Sequence, residues 1–340
     1  MLTRRPCCRW YAAMLLPLIL ATAPAHADCQ LAKMGTFPLE RPGYPLLIPG
    51  KLNGHDITIL ADTGAQESNV WRDAAERAGL QPVRDTRYRV TGISGETTAY
   101  KVKVEELAIG DFVVRNRIWP VIGGRTITEG LGMILGADFW SKVDFEINLA
   151  NREIILWDTS GCKNTPPVYW SREFMLAKME QAGRGQIQTD VSINGKRIRA
   201  MLDTGATFTM MDSQLARNIG FHTDAANSGV SSRISGIGDR GTVDSFLAIF
   251  DTFQMGDMTI NNARIRVLDM DRYTQTEGTR LRQSKLHITR VVIGADFLLA
   301  NRVLVANSQG ALYMTYDGGQ VFQAESTPHA GESPPEEQNP

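Results

Sequence analysis

The sequence predicts an all-β fold arranged as two similar lobes, and three observations carry that prediction. The tetrapeptide Asp-Thr-Gly-Ala occurs twice, at 62–65 and at 203–206. Its surroundings repeat too: a shift of 141 positions lays LNGHDITILADTGA (52–65) over INGKRIRAMLDTGA (193–206). Most of the remaining chain reads as short apolar runs between turn residues, which is the pattern of strands.

Arg4, Arg5 and Arg9 precede the apolar run YAAMLLPLILATA and the small residues PAHA, so 1–27 reads as a secretory signal peptide cut after Ala27. The alternative, a membrane anchor, wants a longer apolar run. A first lobe is expected over 28–157, a linker over 158–185, a second lobe over 186–322 and a disordered, Pro-rich acidic tail over 323–340. In each lobe an Asn-Gly pair (Asn53-Gly54, Asn194-Gly195) marks a hairpin whose second strand runs into the repeated turn. WRDAAERAGL (71–80) and DSQLARNIGF (212–221) then read as one short amphipathic helix per lobe, each stopped by a glycine.

Glycine-rich loops follow at TGISGET (91–97) and SGIGDRG (235–241), each a candidate hairpin tip. AIGDFVV (108–114) matches QMGDMTI (254–260), and ILGADFW (134–140) matches VIGADFL (292–298). The second copy is the longer, and most of its extra residues fall in the basic stretch TRLRQSKLHIT (279–289), expected as a surface loop. The linker holds the Pro-rich NTPPVYW and a candidate short helix in SREFMLAKMEQ (171–181).

Composition narrows the function classes. Thirty-six basic residues against 37 acidic ones give a formal charge of −1, so nothing points to nucleic acid or an anionic membrane. Beyond the leader no apolar run is long enough to span a bilayer, and no membrane anchor is expected after cleavage. Cys7 and Cys8 leave with the leader. Cys29 and Cys162 remain, and in an exported chain an even pair favours a disulfide, with two free thiols as the alternative. Without histidine neighbours these cysteines make a poor metal site, and neither a metal nor a cofactor is expected.

A single Asp-Thr-Gly is commonly just a turn. A given tetrapeptide arises by chance about once in 10⁵ positions, so two copies at equivalent places ask for a reason. Pseudo-two-fold packing of the lobes would bring Asp62 and Asp203 face to face. Two carboxylates that close share one proton and titrate as a unit. One then serves as base toward a water and the other as acid toward a carbonyl oxygen. No HExxH or GxSxG pattern competes.

ADTGAQESNVW and LDTGATFTMMD, each followed by an apolar-apolar-Gly strand (ILGADF, VIGADF), resemble the aspartic protease superfamily, and the Ala after Gly resembles its retropepsin-like branch. The resemblance implies a bilobal acid-protease fold with two retropepsin-like β-barrel lobes fused in one chain, so that no dimer is required. It implies Asp62 and Asp203 as the catalytic pair, supported by Thr63, Gly64, Ala65, Thr204, Gly205 and Ala206. Gly136 and Gly294 correspond to the glycine behind each turn. Gly92, Ile93, Ser94 and Gly95 in one lobe, and Gly236, Ile237 and Gly238 in the other, correspond to flaps. An extended peptide or protein is the implied substrate, cut by an exported endopeptidase working in the periplasm or outside the cell. The alternative is a protein of this fold that binds peptides without cutting them.

Two departures matter. Pepsin-like enzymes carry Ser or Thr where this chain has Ala65 and Ala206, and losing that donor raises a carboxyl pKa. Gln66 and Thr207 differ at equivalent places, so the lobes are not interchangeable. Asp138 and Asp296, in the repeated GADF, are expected to cap or brace local backbone. Tyr100 is expected as an ordinary strand aromatic, and Trp71, Trp119, Trp140, Trp157 and Trp170 as core or rim residues.

Overall fold

The computed structural model describes residues 29–84, 88–92, 95–123, 130–162, 165–223, 232–235, 242–270, 276–277, 284–285 and 289–322. The expected leader and tail lie outside the described residues, as does most of 279–289.

Each half closes a six-stranded barrel in the same order. In the first, Leu47–Leu52, His55–Ala61, Leu131–Leu135, Asn69–Trp71, Phe112–Ile122 and Gly95–Ile109 are successive neighbours. The last strand returns to the first through Lys51 with Ala108 and Leu52 with Leu107. In the second, Gln186–Ile193, Lys196–Leu202, Val291–Ile293, Met210–Asp212, Met258–Leu268 and Thr242–Met255 follow one another. Val191 with Met255 and Ile193 with Phe253 close that ring. Along Gln186–Ile193 every second residue is buried, which is the period a strand with one face on a core requires.

Local chemistry explains the repeat. Asn53 and Asn194 take φ of 47° and 48° ahead of their glycines, a backbone that Asn tolerates and that matches strand twist in a two-residue hairpin. The two expected helices form at Arg72–Arg77 and Ser213–Ile219. Asp212 caps the second by accepting the Leu215 N–H at 3.0 Å. Trp71, Trp119 and Trp140 are buried and Trp157 and Trp170 are half-buried, as core and rim residues should be. Tyr100 sits in strand Gly95–Ile109 against the core.

A third layer joins the lobes. Strands Ala32–Pro38, Glu153–Asp158 and Asp144–Asn148 come from the first half, and Asn301–Ala306, Ala311–Tyr316 and Met175–Ala182 from the second. They form one antiparallel sheet in that order, with the halves meeting where Ile147 faces Val303 and Phe145 faces Val305. Met175–Ala182 corrects the helix expected in SREFMLAKMEQ. Its residues are good helix formers, but it pairs with strands on both sides, and Ala177 and Met179 are buried while Lys178 and Glu180 are exposed. Tertiary pairing outweighs a propensity of tenths of a kcal/mol per residue.

The first strand is locked in from two directions. Phe37 is fully buried, with ring centroids 6.1 Å from Phe112, 6.1 Å from Phe139 and 6.2 Å from Trp140. Just ahead of it, Cys29 is bonded to Cys162 across a sequence separation of 133. Closing so long a loop removes much unfolded-state entropy, and such bonds contribute about 2–4 kcal/mol. Replacing both cysteines by serine should therefore lower the thermal midpoint by several degrees, measured without reductant. An unchanged midpoint would show that the strand needs no tether.

Candidate active site

Both Asp-Thr-Gly turns leave a strand that runs parallel to the apolar strand ending in Gly136 or Gly294. Asp62 N–H donates to Leu135 O at 3.0 Å and Asp203 N–H to Ile293 O at 2.9 Å, so each Asp is set by a neighbouring strand as well as by its own. Ala137 N–H and Ala295 N–H donate to Ala65 O and Ala206 O, both at 2.8 Å, and close the back of each turn. A Cβ on Gly136 would stand 2.7 Å from the Glu67 carbonyl carbon, and one on Gly294 2.5 Å from that of Phe208.

The turns meet through their threonines. Thr63 Oγ1 donates to Leu202 O at 2.7 Å and accepts Thr204 N–H at 3.1 Å. Thr204 Oγ1 donates to Ala61 O at 2.8 Å and accepts Thr63 N–H at 3.0 Å. Both side chains are 1 % exposed, so water cannot substitute for any of the four bonds.

This exchange carries each aspartate over the other lobe's glycine. A Cβ on Gly64 would lie 2.2 Å from Asp203 Cγ, and one on Gly205 2.3 Å from Asp62 Cγ. No residue but glycine fits either place. The two carboxyl groups share a hydrogen bond. Asp62 Oδ1 also accepts the N–H groups of Gly64 at 3.0 Å and Ala65 at 2.8 Å, and Asp203 Oδ1 accepts Gly205 N–H at 2.8 Å.

Burial raises both carboxyls above the ordinary carboxylate range. Asp203 is pushed well above it, because the Asp62 charge adds repulsion to desolvation. Backbone N–H groups of the turns support the charged form of each acid, Gly64 and Ala65 for Asp62 and Gly205 and Ala206 for Asp203. At intermediate pH the pair thus holds one proton between its two members. Such an arrangement can accept a proton at one oxygen and donate one at another.

Behind each turn a second carboxylate braces the chain. Asp138 Oδ1 accepts from Ser68 N–H and Oγ at 2.8 and 2.6 Å, and Ser68 Oγ accepts Gly136 N–H at 3.0 Å. Asp296 accepts from Thr209 N–H at 2.9 Å and Thr209 Oγ1 at 2.7 Å, and that hydroxyl accepts Gly294 N–H at 3.1 Å. Both therefore hold local backbone.

Of the residues expected at the site, Asp62, Thr63, Gly64, Ala65, Asp203, Thr204, Gly205 and Ala206 are brought together. Gly92 and Gly95 face each other across hairpin Tyr88–Gly92 and Gly95–Ile109. Ile93, Ser94, Gly236, Ile237 and Gly238 lie outside the described residues. Tyr44 and Gln186 were not foreseen. The Tyr44 hydroxyl donates to Gly205 O at 2.6 Å and Gln186 Nε2 to Gly64 O at 2.6 Å. They sit three residues before Leu47 and two before Gln188, one step out of register, so the repeat does not superimpose them.

Two barrels joined across a shared, proton-holding aspartate pair define the class of acid-protease folds. Residues 48–139 and 189–297 match the aspartyl protease family, one stretch in each lobe, and the chain belongs to that family. It is also 31% identical over 108 residues to the UBA domain-containing protein Mud1 of Schizosaccharomyces pombe. That match covers 31% of this chain and spans about a third (32%) of the length of Mud1.

Two outcomes follow. Thr204→Val strands Ala61 O and Thr63 N–H in a buried place, and should cost about 2–4 kcal/mol in urea unfolding. A loss under about half a kcal/mol would mean that the threonine exchange is not what holds the turns. Second, burial pushes Asp296 up from the ordinary 3.8 to about 6. Between those values the folded chain binds a proton that the unfolded chain has released, so stability falls as pH rises through that window and levels off above it. Asp296→Asn should flatten this part of the pH–stability curve relative to the parent, and an unaltered slope would contradict the assignment.

Proposed function

We propose that this chain is an exported aspartic endopeptidase. The observation that carries the reading is the pair of carboxyl groups, each seated over the opposite glycine and hydrogen-bonded to the other. A water between them loses a proton to Asp62 as its oxygen attacks the carbonyl carbon of a peptide bond. Asp203 gives its proton to the carbonyl oxygen, forming a neutral gem-diol. The C–N bond then breaks: the nitrogen takes the proton held by Asp62, Asp203 recovers one from a diol hydroxyl, and acid and amine leave. No covalent enzyme intermediate is needed. Membership of the aspartyl protease family supports the class of reaction. The leader pattern and the Cys29–Cys162 bond support export to an oxidising compartment. The substrate is an extended peptide or unfolded protein, which pairs as an added strand in the cleft between the lobes.

The test uses the mature chain with a mixed peptide library across pH 3–8. Cleavage is expected, falling by about 10²–10⁴ in Asp62→Asn and in Asp203→Asn. Activity that survives both substitutions rules the mechanism out, and binding without cleavage by the parent turns the reading to a peptide-binding protein. The rate should follow a bell. Its acid limb marks the second proton on the pair and its alkaline limb the loss of the last. With alanines in place of hydroxyl donors and with burial raising both groups, the optimum should lie nearer neutral than that of pepsin. A strongly acidic optimum would contradict this.

A further inference from the structure

The glycine carbonyls of the two turns have partners from the opposite lobe, and each belongs to a peptide whose other end faces an aspartate. Gly64 O and Ala65 N–H share one planar unit, as do Gly205 O and Ala206 N–H. In a trans peptide the C=O and N–H point in opposite directions. A donor that fixes the carbonyl therefore also aims the N–H. Gln186 Nε2 holds Gly64 O at 2.6 Å, and across the same peptide Ala65 N–H meets Asp62 Oδ1 at 2.8 Å. The Tyr44 hydroxyl holds Gly205 O at 2.6 Å, and across that peptide Ala206 N–H donates to Asp203's own carbonyl oxygen at 3.3 Å and adds stabilisation to the Asp203 carboxylate.

We infer that Tyr44 and Gln186 are positioning residues for the aspartate pair, each pinning the Gly–Ala peptide of the opposite turn so that its N–H is directed onto the adjacent carboxylate. A hydrogen bond accepted at a carbonyl also polarises the amide and strengthens its N–H as a donor. The two pins differ in chemistry, a phenol toward Asp203 and an amide toward Asp62, so they tune the two acids unequally. Each carbonyl keeps a second lone pair for a substrate N–H.

The surroundings suit the role. Asp62, Asp203 and Arg41 are the charged groups facing Tyr44, and the Thr207 hydroxyl bonds its oxygen. Burial holds the phenol well above its usual range, so it stays a donor wherever the carboxyls titrate. Arg184, two residues before Gln186, pairs with Glu67, three residues after Gly64. Met201 Sδ lies 3.4 Å from Gln186 Nε2. Both pins are rooted in the fold. Leu46 O accepts Ala61 N–H at 3.0 Å just after Tyr44, and Gln186 begins a barrel strand.

The consequence for turnover rests on the peptidase reading, whereas the pinning does not, and the experiment separates them. The mature protein, labelled with ¹³C at its aspartate carboxyls, is titrated by NMR, the pair being assigned through Asp62→Asn and Asp203→Asn. Tyr44→Phe should raise the upper apparent pKa of the pair by about half a unit, a threefold change in proton affinity, and leave the lower one in place. Gln186→Met should raise the lower one and spare the upper. A 3-fluorotyrosine at position 44, a stronger donor of nearly the same shape, should move the upper value down. Titrations that match the parent in all three proteins overturn the inference. So does a joint shift of both values with a fallen thermal midpoint, which reports only loosened packing. A parent that cuts nothing sinks the peptidase proposal and leaves this result standing. Where cleavage occurs, kcat should fall several-fold in Tyr44→Phe with KM unchanged.

Discussion

Everything in this molecule depends on keeping two acidic groups in contact inside a protein. Left alone, two carboxylates at hydrogen-bonding distance would repel by several kcal/mol at the effective dielectric of such sites. The chain resists that repulsion with direct mechanical means. Four hydrogen bonds from Thr63 and Thr204 cross the interface where no water can replace them. Glycine at 64 and 205 removes the atoms that would otherwise push the acids apart. Asp138 and Asp296 brace the backbone immediately behind. The proton that the pair retains is the chemical result of this confinement.

That confinement also organises the wider architecture. A dyad split between two barrels is only as rigid as the joint between them, and the joint has two storeys. The threonine exchange joins the two turns, and a continuous antiparallel sheet with three strands from each half lies elsewhere in the joint. Side chains add to it: Asn307 Nδ2 donates to Trp140 O at 2.9 Å, and Gln181 Nε2 to Ser141 O at 2.7 Å. Because both copies of the turn are encoded in one chain, equivalent positions have been free to diverge. Gln66 at the place of Thr207 is a difference that a symmetric homodimer of identical chains has no means to make.

Much of this was legible in the sequence where the signal is local. The doubled turn, the Asn-Gly hairpins, the short helices after each turn and the bracing role of Asp138 and Asp296 all follow from residue types at fixed spacing. What was not legible depends on partners distant in the chain. Met175–Ala182 is built of helix formers, and only its pairing with Ala311–Tyr316 and Gln186–Ile193 makes it a strand. The bridging sheet pairs Asp144–Asn148 with residues more than 150 positions away, and nothing in DFEIN announces that register. Nothing local marks Tyr44 either: its partner Gly205 lies 161 positions away.

The shared sheet has a further consequence for how the chain can be made. Neither half owns a finished edge at the seam: cut between them, each would present the backbone of Asp144–Asn148 or Asn301–Ala306 as a bare row of donors and acceptors. Such a fragment would seek a mate on another fragment, and a ribosome delivering the first half alone holds it in that state until the second arrives. The seam that unites the finished molecule is thus an open sheet edge while the chain is being made.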